Sequence, residues 1–315
     1  LIKALSANYR TIVPDHIGCG LSDEPKADNY DYTLARRVSD LEVVLDRLGA
    51  HNRTTLILHD WGGMIGMAYA VKHPERISRI IILNTAAFLP PAGKKLPLRL
   101  RLVRNVKWLS RPAVLGLNLF ARSALYMASQ SPLDREVKQG LIAPYDRPEN
   151  RIATLRFVYD IPVCPTDASY DLVAWVSNQL ERLAHLPMLI CWGKHDFVFD
   201  TDYLAEWRRR FPKAEYHLLS NAGHYILEDA PETVYEPKGE RDLFTCATNS
   251  DCPPLSSFWY SFCSWDWAQA GMSCIKRSRR EVGRRQQPLT TSTCRKKSLA
   301  SHTVLFQCFI TGCFA

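Results

Sequence analysis

Thr54-Thr55-Leu56-Ile57-Leu58-His59-Asp60-Trp61-Gly62-Gly63-Met64 reads as a buried strand that stops abruptly at a carboxylate. Leu56 to Leu58 is a short apolar run of the kind a strand covered on both faces needs. Two glycines follow at once, and Met64-Ile65-Gly66-Met67-Ala68-Tyr69-Ala70 begins a helix. A sharp strand–turn–helix with one polar residue at its apex is the geometry of a nucleophile elbow. Small residues are required after the apex because the helix passes close to the turn. The apex is Asp60, where the commoner form of the motif carries Ser. Taken alone, Asp60 would also suit a helix N-cap; its neighbours His59, Trp61, Gly62 and Gly63 favour the elbow.

An Asp at the apex sets the chemistry. A serine must lose a proton before it attacks, whereas a carboxylate is ionised near pH 7 and attacks directly. It displaces a leaving group from saturated carbon, or opens a strained ring, and so forms an ester with the substrate. Releasing that ester calls for a base held by an acid. Both are expected downstream, in the chain order nucleophile, acid, base. Pro187-Met188-Leu189-Ile190-Cys191-Trp192-Gly193-Lys194-His195-Asp196 is a second buried strand running into a loop, and it places Asp196 just past the strand end. A third strand, Glu215 to Leu219, leads into Ser220-Asn221-Ala222-Gly223-His224-Tyr225 and places His224 on a loop. Carboxyl ends of parallel strands are where α/β active sites gather. His195 lies on the other side of the same extended segment as Asp196 and is set aside.

The constellation resembles the α/β-hydrolase superfamily, in its aspartate-nucleophile branch of haloalkane dehalogenases and epoxide hydrolases. His59-Asp60-Trp61-Gly62-Gly63, Trp192-Gly193-Lys194-His195-Asp196 and Ala222-Gly223-His224 carry the likeness. Within the branch, Arg151-Ile152-Ala153-Thr154-Leu155-Arg156-Phe157-Val158, Met188 to Gly193, and Ala222 to Ala230 are most similar to the β-lactone decarboxylases of bacterial olefin biosynthesis. The resemblance implies an α/β-hydrolase fold, a mostly parallel sheet with a helical lid insertion. It implies an Asp60 nucleophile, a His224–Asp196 pair, a covalent ester intermediate and Trp61 as a substrate contact through its N–H groups. It leaves epoxide hydrolase and haloalkane dehalogenase proper as alternatives. In some dehalogenases the orienting acid follows the strand Arg79 to Asn84; here Asn84 and Thr85 stand there, which favours Asp196. Epoxide hydrolases use lid tyrosines as acids, and Tyr126, Tyr145, Tyr159 and Tyr170 fall in or near the lid without one being singled out. The family places a second stabilising donor in a His-Gly-x-Pro type segment on early strands. The chain contains no such segment, so those strands and that donor are expected to be missing. A truncated, non-catalytic fragment is the competing expectation.

The 315 residues suffice for a sizeable core, and a 46% apolar fraction is ordinary for a globular chain. No apolar run reaches membrane-spanning length. The resemblance runs from Leu1 to about Val234, which divides the chain into an α/β core over 1–86, a helical lid over 87–178, the rest of the core over 179–235, and an atypical tail over 236–315. Eleven Lys and Arg against six Asp and Glu in that tail supply five of the net +8 charge, and seven of the ten cysteines lie there. Sparse cysteine before it suits a reducing cytoplasm. The tail shows no sustained helical or strand period and is not expected to fold as a domain. Its basic clusters, Lys276 to Arg285 and Arg295 to Lys297, admit a nucleic-acid-binding tail as the lesser reading.

Gly18 and Gly20 have G-x-G spacing after the strand Tyr9 to Asp15, but no third glycine and no helix open on them, so a turn is expected and not a dinucleotide site. No cofactor is expected, and the cysteine spacing makes a weak zinc site. Thr33 to Leu48 is an amphipathic helix that Gly49 stops. In the lid, Leu96 to Leu125 is rich in Leu, Val and Phe, which implies either an apolar pocket, suited to a small apolar or long-chain substrate, or a well-filled lid core. Arg99, Arg101, Arg104, Lys107 and Arg111 form either a solvated face or a docking face for an acyl carrier, an acidic protein or a membrane surface.

Overall fold

A computed structural model of the protein describes residues 2–6, 8–231 and 303–307. One sheet holds β1 (Arg10–Ile12), β2 (Thr54–His59), β3 (Ile77–Leu83), β4 (Met188–Gly193), β5 (Glu215–Leu219) and β6 (Thr303–Gln307). The spatial order is β1-β6-β2-β3-β4-β5, and each neighbouring pair runs parallel. Parallel neighbours need crossovers, which helices supply. Helix α1 (Ile2–Leu5) precedes β1, α2 (Leu34–Arg47) joins β1 to β2, and α3 (Trp61–Lys72) joins β2 to β3.

Helix α2 forms where its pattern predicts. Thr33 accepts a hydrogen bond from the Arg36 N–H at the N-terminus, Leu34, Val38, Leu41 and Leu45 are buried, and Gly49 takes φ 65° just past the end. The Gly18 and Gly20 loop is a turn, with both glycines at positive φ. A Cβ on Gly20 would lie 2.3 Å from the Asp15 carboxyl carbon, and that carboxylate accepts the Leu21 N–H at 2.9 Å.

The sheet buries both faces, as its apolar strands require. Leu56, Leu58, Ile80, Ile82, Ile190 and Trp192 pack into the larger core with α2 and α3. Ile57, Leu83, Leu189 and Cys191 pack on the opposite side with Ala222, Ile226 and Leu227. The alternation follows from the two-residue period of a strand.

Between β3 and β4 the chain leaves the sheet for α4 (Leu98–Asn105), α5 (Lys107–Arg111), a π-turn over Pro112–Gly116, α6 (Leu119–Met127), α7 (Arg135–Ile142), α8 (Ile152–Tyr159) and α9 (Tyr170–Gln179). This is the expected helical insertion. Asp160, just past α8, accepts the Leu34 N–H at 2.7 Å and a hydrogen bond from the Ser169 hydroxyl at 2.7 Å, tying the insertion to the start of α2. Arg151 knits the insertion internally by donating to the carbonyls of Tyr145 and Leu115 at 2.8 and 2.6 Å. Helix α10 (Thr201–Arg210) then links β4 to β5, and α11 (Ile226–Asp229) follows.

One strand differs from expectation. Thr303–Gln307 lies in the tail that showed no strand period, yet it sits between β1 and β2. It pairs Arg10 to Ile12 with Thr303 to Leu305 on one side and Thr54 to Leu58 with Thr303 to Gln307 on the other. Leu305 enters the larger core, while Val304 and Phe306 enter the smaller. The rest of the tail, including both basic clusters and its seven cysteines, lies outside the described residues.

Candidate active site

Asp60, Asp196 and His224 follow β2, β4 and β5 respectively. Because the strands are parallel, all three fall at one edge of the sheet. Asp60 occupies the turn with φ 51° and ψ −129°, a conformation that L-residues rarely adopt. It stands at the N-cap position of α3, but its side chain makes no capping hydrogen bond there. The turn is held from behind: Asp60 N–H donates to the Asn84 carbonyl at 3.2 Å, and the Thr85 hydroxyl donates to the Asp60 carbonyl. Gly63 is required there, because a Cβ on it would lie 1.9 Å from Thr85 Oγ1.

His224 is 1% exposed, and its Nδ1–H donates to Asp196 Oδ2 at 2.8 Å. The other Asp196 oxygen accepts the Val198 and Phe199 N–H groups at 2.7 and 3.0 Å, so the acid is fixed before it meets the imidazole. That leaves His224 Nε2 facing Asp60 Oδ2 at 4.0 Å. The His224 loop is itself braced. Asp229 accepts the Gly223 N–H at 2.7 Å and the Gln130 N–H at 2.8 Å, and Tyr225 N–H donates to the Ala128 carbonyl at 2.8 Å.

Burial lifts the Asp60 carboxyl to about 8; the nearby His224 pulls it back, Asp196 pushes it further up, and the Trp61 N–H lowers it. An exposed aspartate is ionised at pH 7, as the sequence alone suggests for Asp60. Here burial makes the anion costly, and it is favoured chiefly when His224 is imidazolium. Burial alone would lower His224, but the charge and hydrogen bond of Asp196, with Asp60 adding to them, raise it on balance. The two groups titrate as a pair.

A narrow apolar cavity opens onto Asp60. Met64, Phe88, Leu96, Ile161, Val198 and Phe199 supply most of its wall, and Trp61 borders it beside the carboxylate. Tyr203 on α10 is the remaining polar side chain of the lining. Its spacing with Leu204, Trp207 and Phe211 marks it in the sequence as part of an apolar helix face, and no local signal points to the cavity. None of Tyr126, Tyr145, Tyr159 and Tyr170 lines this cavity; Tyr126 is exposed and Tyr159 hydrogen-bonds Ser110 at 2.8 Å. His195 is exposed, as its strand parity predicts.

Two further residues act on the site without lining the cavity. His59 Nε2–H donates to the His224 carbonyl at 2.9 Å, and burial lowers its pKa to about 3, so it is a neutral strut. Asn84 donates to the Gly193 carbonyl at 3.1 Å and accepts the Gly193 N–H at 2.7 Å, clamping the ends of β3 and β4 together. Among the described residues no group of three or more His, Cys, Asp or Glu side chains could hold a metal ion.

A model of the alpha/beta hydrolase fold family matches residues 1–231. The chain is 48% identical over 235 residues to a cis-3-alkyl-4-alkyloxetan-2-one decarboxylase of Shewanella oneidensis, covering 74% of each. It is 40% identical over 239 residues to the enzyme of that name in Xanthomonas campestris, covering 74% of this chain and 79% of that one. Haloalkane dehalogenase 2 of Mycobacterium bovis is 28% identical over 240 residues, covering 74% of this chain and 79% of that one. Among solved structures, haloalkane dehalogenase DbeA of Bradyrhizobium elkani superposes with a TM-score of 0.62 at 22% identity, over 70% of this chain and 76% of that one. A parallel sheet whose strand ends gather one carboxylate at a strained turn and a second on an imidazole, matched by a family model over most of the described residues, places this chain in the alpha/beta hydrolase fold family.

Proposed function

We propose that this protein is an aspartate-nucleophile enzyme that opens a four-membered lactone carrying two alkyl chains and expels carbon dioxide. The observation that carries the proposal is the buried Asp60 carboxylate, which faces both the apolar cavity and His224 Nε2 at 4.0 Å. Asp60 bonds to the ring carbon that bears the ring oxygen, and that carbon–oxygen bond breaks, leaving a substrate carboxylate and an ester on Asp60. The carbon–carbon bond to the new carboxylate then breaks, its electron pair forms the alkene, and the bond to Asp60 breaks. Carbon dioxide leaves, Asp60 is regenerated, and no water is consumed. The apolar wall favours the second step because a poorly solvated carboxylate gains by becoming neutral carbon dioxide. The His224 imidazolium, held by Asp196, stabilises the departing Asp60 carboxylate.

Supporting the substrate choice, the two relatives at 48% and 40% identity are both named as oxetanone decarboxylases. Trp61 beside Asp60 supports a second reading, in which a halide leaves toward its N–H groups and His224 activates water to hydrolyse the ester. Sparse cysteine in residues 1–235 goes with action in the cytoplasm. Intact-mass trapping with His224→Gln protein separates the readings, using a long-chain β-lactone, an epoxide and a bromoalkane in parallel. A mass increase on Asp60 with the lactone, absent in Asp60→Asn protein, is expected. Full turnover by Asp60→Asn protein would sink the proposal.

A further inference from the structure

The outer surface of the lid is unlike the rest of the molecule. Of the fifteen large hydrophobic residues exposed among those described, seven lie between Leu98 and Tyr126. Leu98, Leu102, Trp108, Leu109, Leu117 and Leu119 are each between 48% and 79% exposed, with Trp108 the most open of them. They are carried on consecutive elements in contact with one another, α4 packing on α5, α5 on the π-turn and the π-turn on α6. Between them stand Arg99, Arg101, Lys107, Arg111 and Arg122, all exposed. Arg104 is used inside the lid, paired with Asp167 at 2.5 Å and donating to the Ile161 carbonyl at 3.1 Å. No Asp or Glu occurs between Glu75 and Asp134. A solvated face on a soluble protein normally mixes both signs and keeps Trp and Leu inside.

We propose that the outer surface of α4 to α6 docks on an anionic lipid bilayer. Leu and Trp side chains enter the headgroup boundary while Arg and Lys stems reach up to the lipid phosphates, the division of labour of an interfacial helix. Charge complementarity sets the sign of the partner, since five exposed cations on a segment without Asp or Glu are drawn to anionic lipid, although exposed Glu136, Asp146 and Glu149 stand on the neighbouring elements. The exposed Trp108-Leu109 pair beside Lys107 and Arg111 has the composition of a face that sits at the headgroup boundary, Trp and Leu with flanking cations. Docking also has a spatial consequence. Leu96, two residues before α4, lines the Asp60 cavity, so the segment that carries the docked face also supplies part of the cavity wall. The use of that arrangement, delivery of an alkyl-chain substrate from the bilayer to Asp60, rests on the function proposed above; the docking itself does not.

The test is sedimentation of full-length Asp60→Asn protein with vesicles, so that binding is read without turnover. Binding to phosphatidylglycerol-containing vesicles, little to pure phosphatidylcholine, and a fall with added salt are expected. Trp108→Ser with Leu109→Ser, and separately Arg101→Glu with Lys107→Glu and Arg111→Glu, should each lower partitioning, the charge reversals by on the order of 100-fold. Hydrogen exchange on the unmutated protein should show new protection in residues 98–126 when anionic vesicles are added, a readout that does not depend on any variant folding. No binding to anionic vesicles at low salt would overturn the proposal, as would capture by polyglutamate beads but not by vesicles, which would point to an acidic protein. Binding untouched by the lid substitutions would also overturn it and assign the affinity to the basic sequence of residues 276–297. Loss of activity in the lid variants is not a readout, so failure of the lactone chemistry and failure of docking are told apart.

Discussion

Strand β6 reaches the middle of the sheet from the far end of the chain, and its removal is the sharpest test of the fold. Val304, Leu305 and Phe306 are buried, with Leu305 at 0% exposure. Burying a Val, Leu or Phe side chain contributes about 1.5–3 kcal/mol, so the three together contribute roughly 4.5–9 kcal/mol. The strand also completes hydrogen-bonded ladders with β1 and β2, which would otherwise face an open slot. Whole domains are stable by only about 5–15 kcal/mol, so ending the chain after His302 should abolish cooperative folding. A milder perturbation is Leu305→Ala. A buried Leu→Ala change costs about 2–5 kcal/mol, and in a domain of this size each kcal/mol moves Tm by about 2–4 °C. Thermal unfolding by circular dichroism should therefore show a fall of about 4–20 °C. Hydrogen exchange in residues 10–12 and 54–59 should accelerate in parallel, because those strands flank Leu305. A chain ending after His302 that melts within 2 °C of the full protein, with β1 and β2 still protected, would refute the reasoning and remove β6 from the sheet.

Three further outcomes follow from the site. Burial raises the Asp60 pKa above its unfolded value, so the folded state binds a proton that the unfolded state releases, and stability falls as pH rises from about 4 toward 8. Asp60→Asn should therefore stabilise the protein at pH 8, by roughly 1–4 kcal/mol in chemical denaturation, and the gain should vanish below about pH 4. The acid limb of kcat/KM should lie well above the ordinary carboxylate range, and in His224→Gln protein the limb for ester formation should move higher still, because the group that pulls the Asp60 pKa down is gone. Gly63→Ala should fail to form the ester and should destabilise by several kcal/mol, since the new Cβ would lie 1.9 Å from the Thr85 hydroxyl; an intact Tm with normal trapping would show that the turn yields.

Much of the site is legible in residue order. The elbow is local: an apolar strand, one carboxylate and two glycines within eleven residues, and the structure places each where the pattern predicts. Asp196 and His224 are legible for the same reason, each being the polar residue that ends a short buried strand. Tyr203 was hidden because its helix period marks it as core, and only the closing of α10 over the strand ends puts it at the cavity. Asn84 and His59 were hidden too, since their partners, Gly193 and the His224 carbonyl, lie 109 and 165 residues away.

The sequence by itself determined the sheet strands and main helices of residues 1–235, the parallel character of the sheet and the identity of the three polar apices, because these depend on periodicity and turn chemistry within a few residues. The tertiary structure alone decided which strands are neighbours, that Thr303–Gln307 fills the slot between β1 and β2, and that Asp60 sits dry enough for burial to contest its charge. A five-residue apolar run carries no address: strand order is set by which buried faces and backbone ladders can be satisfied together, and desolvation is a property of everything packed around a group.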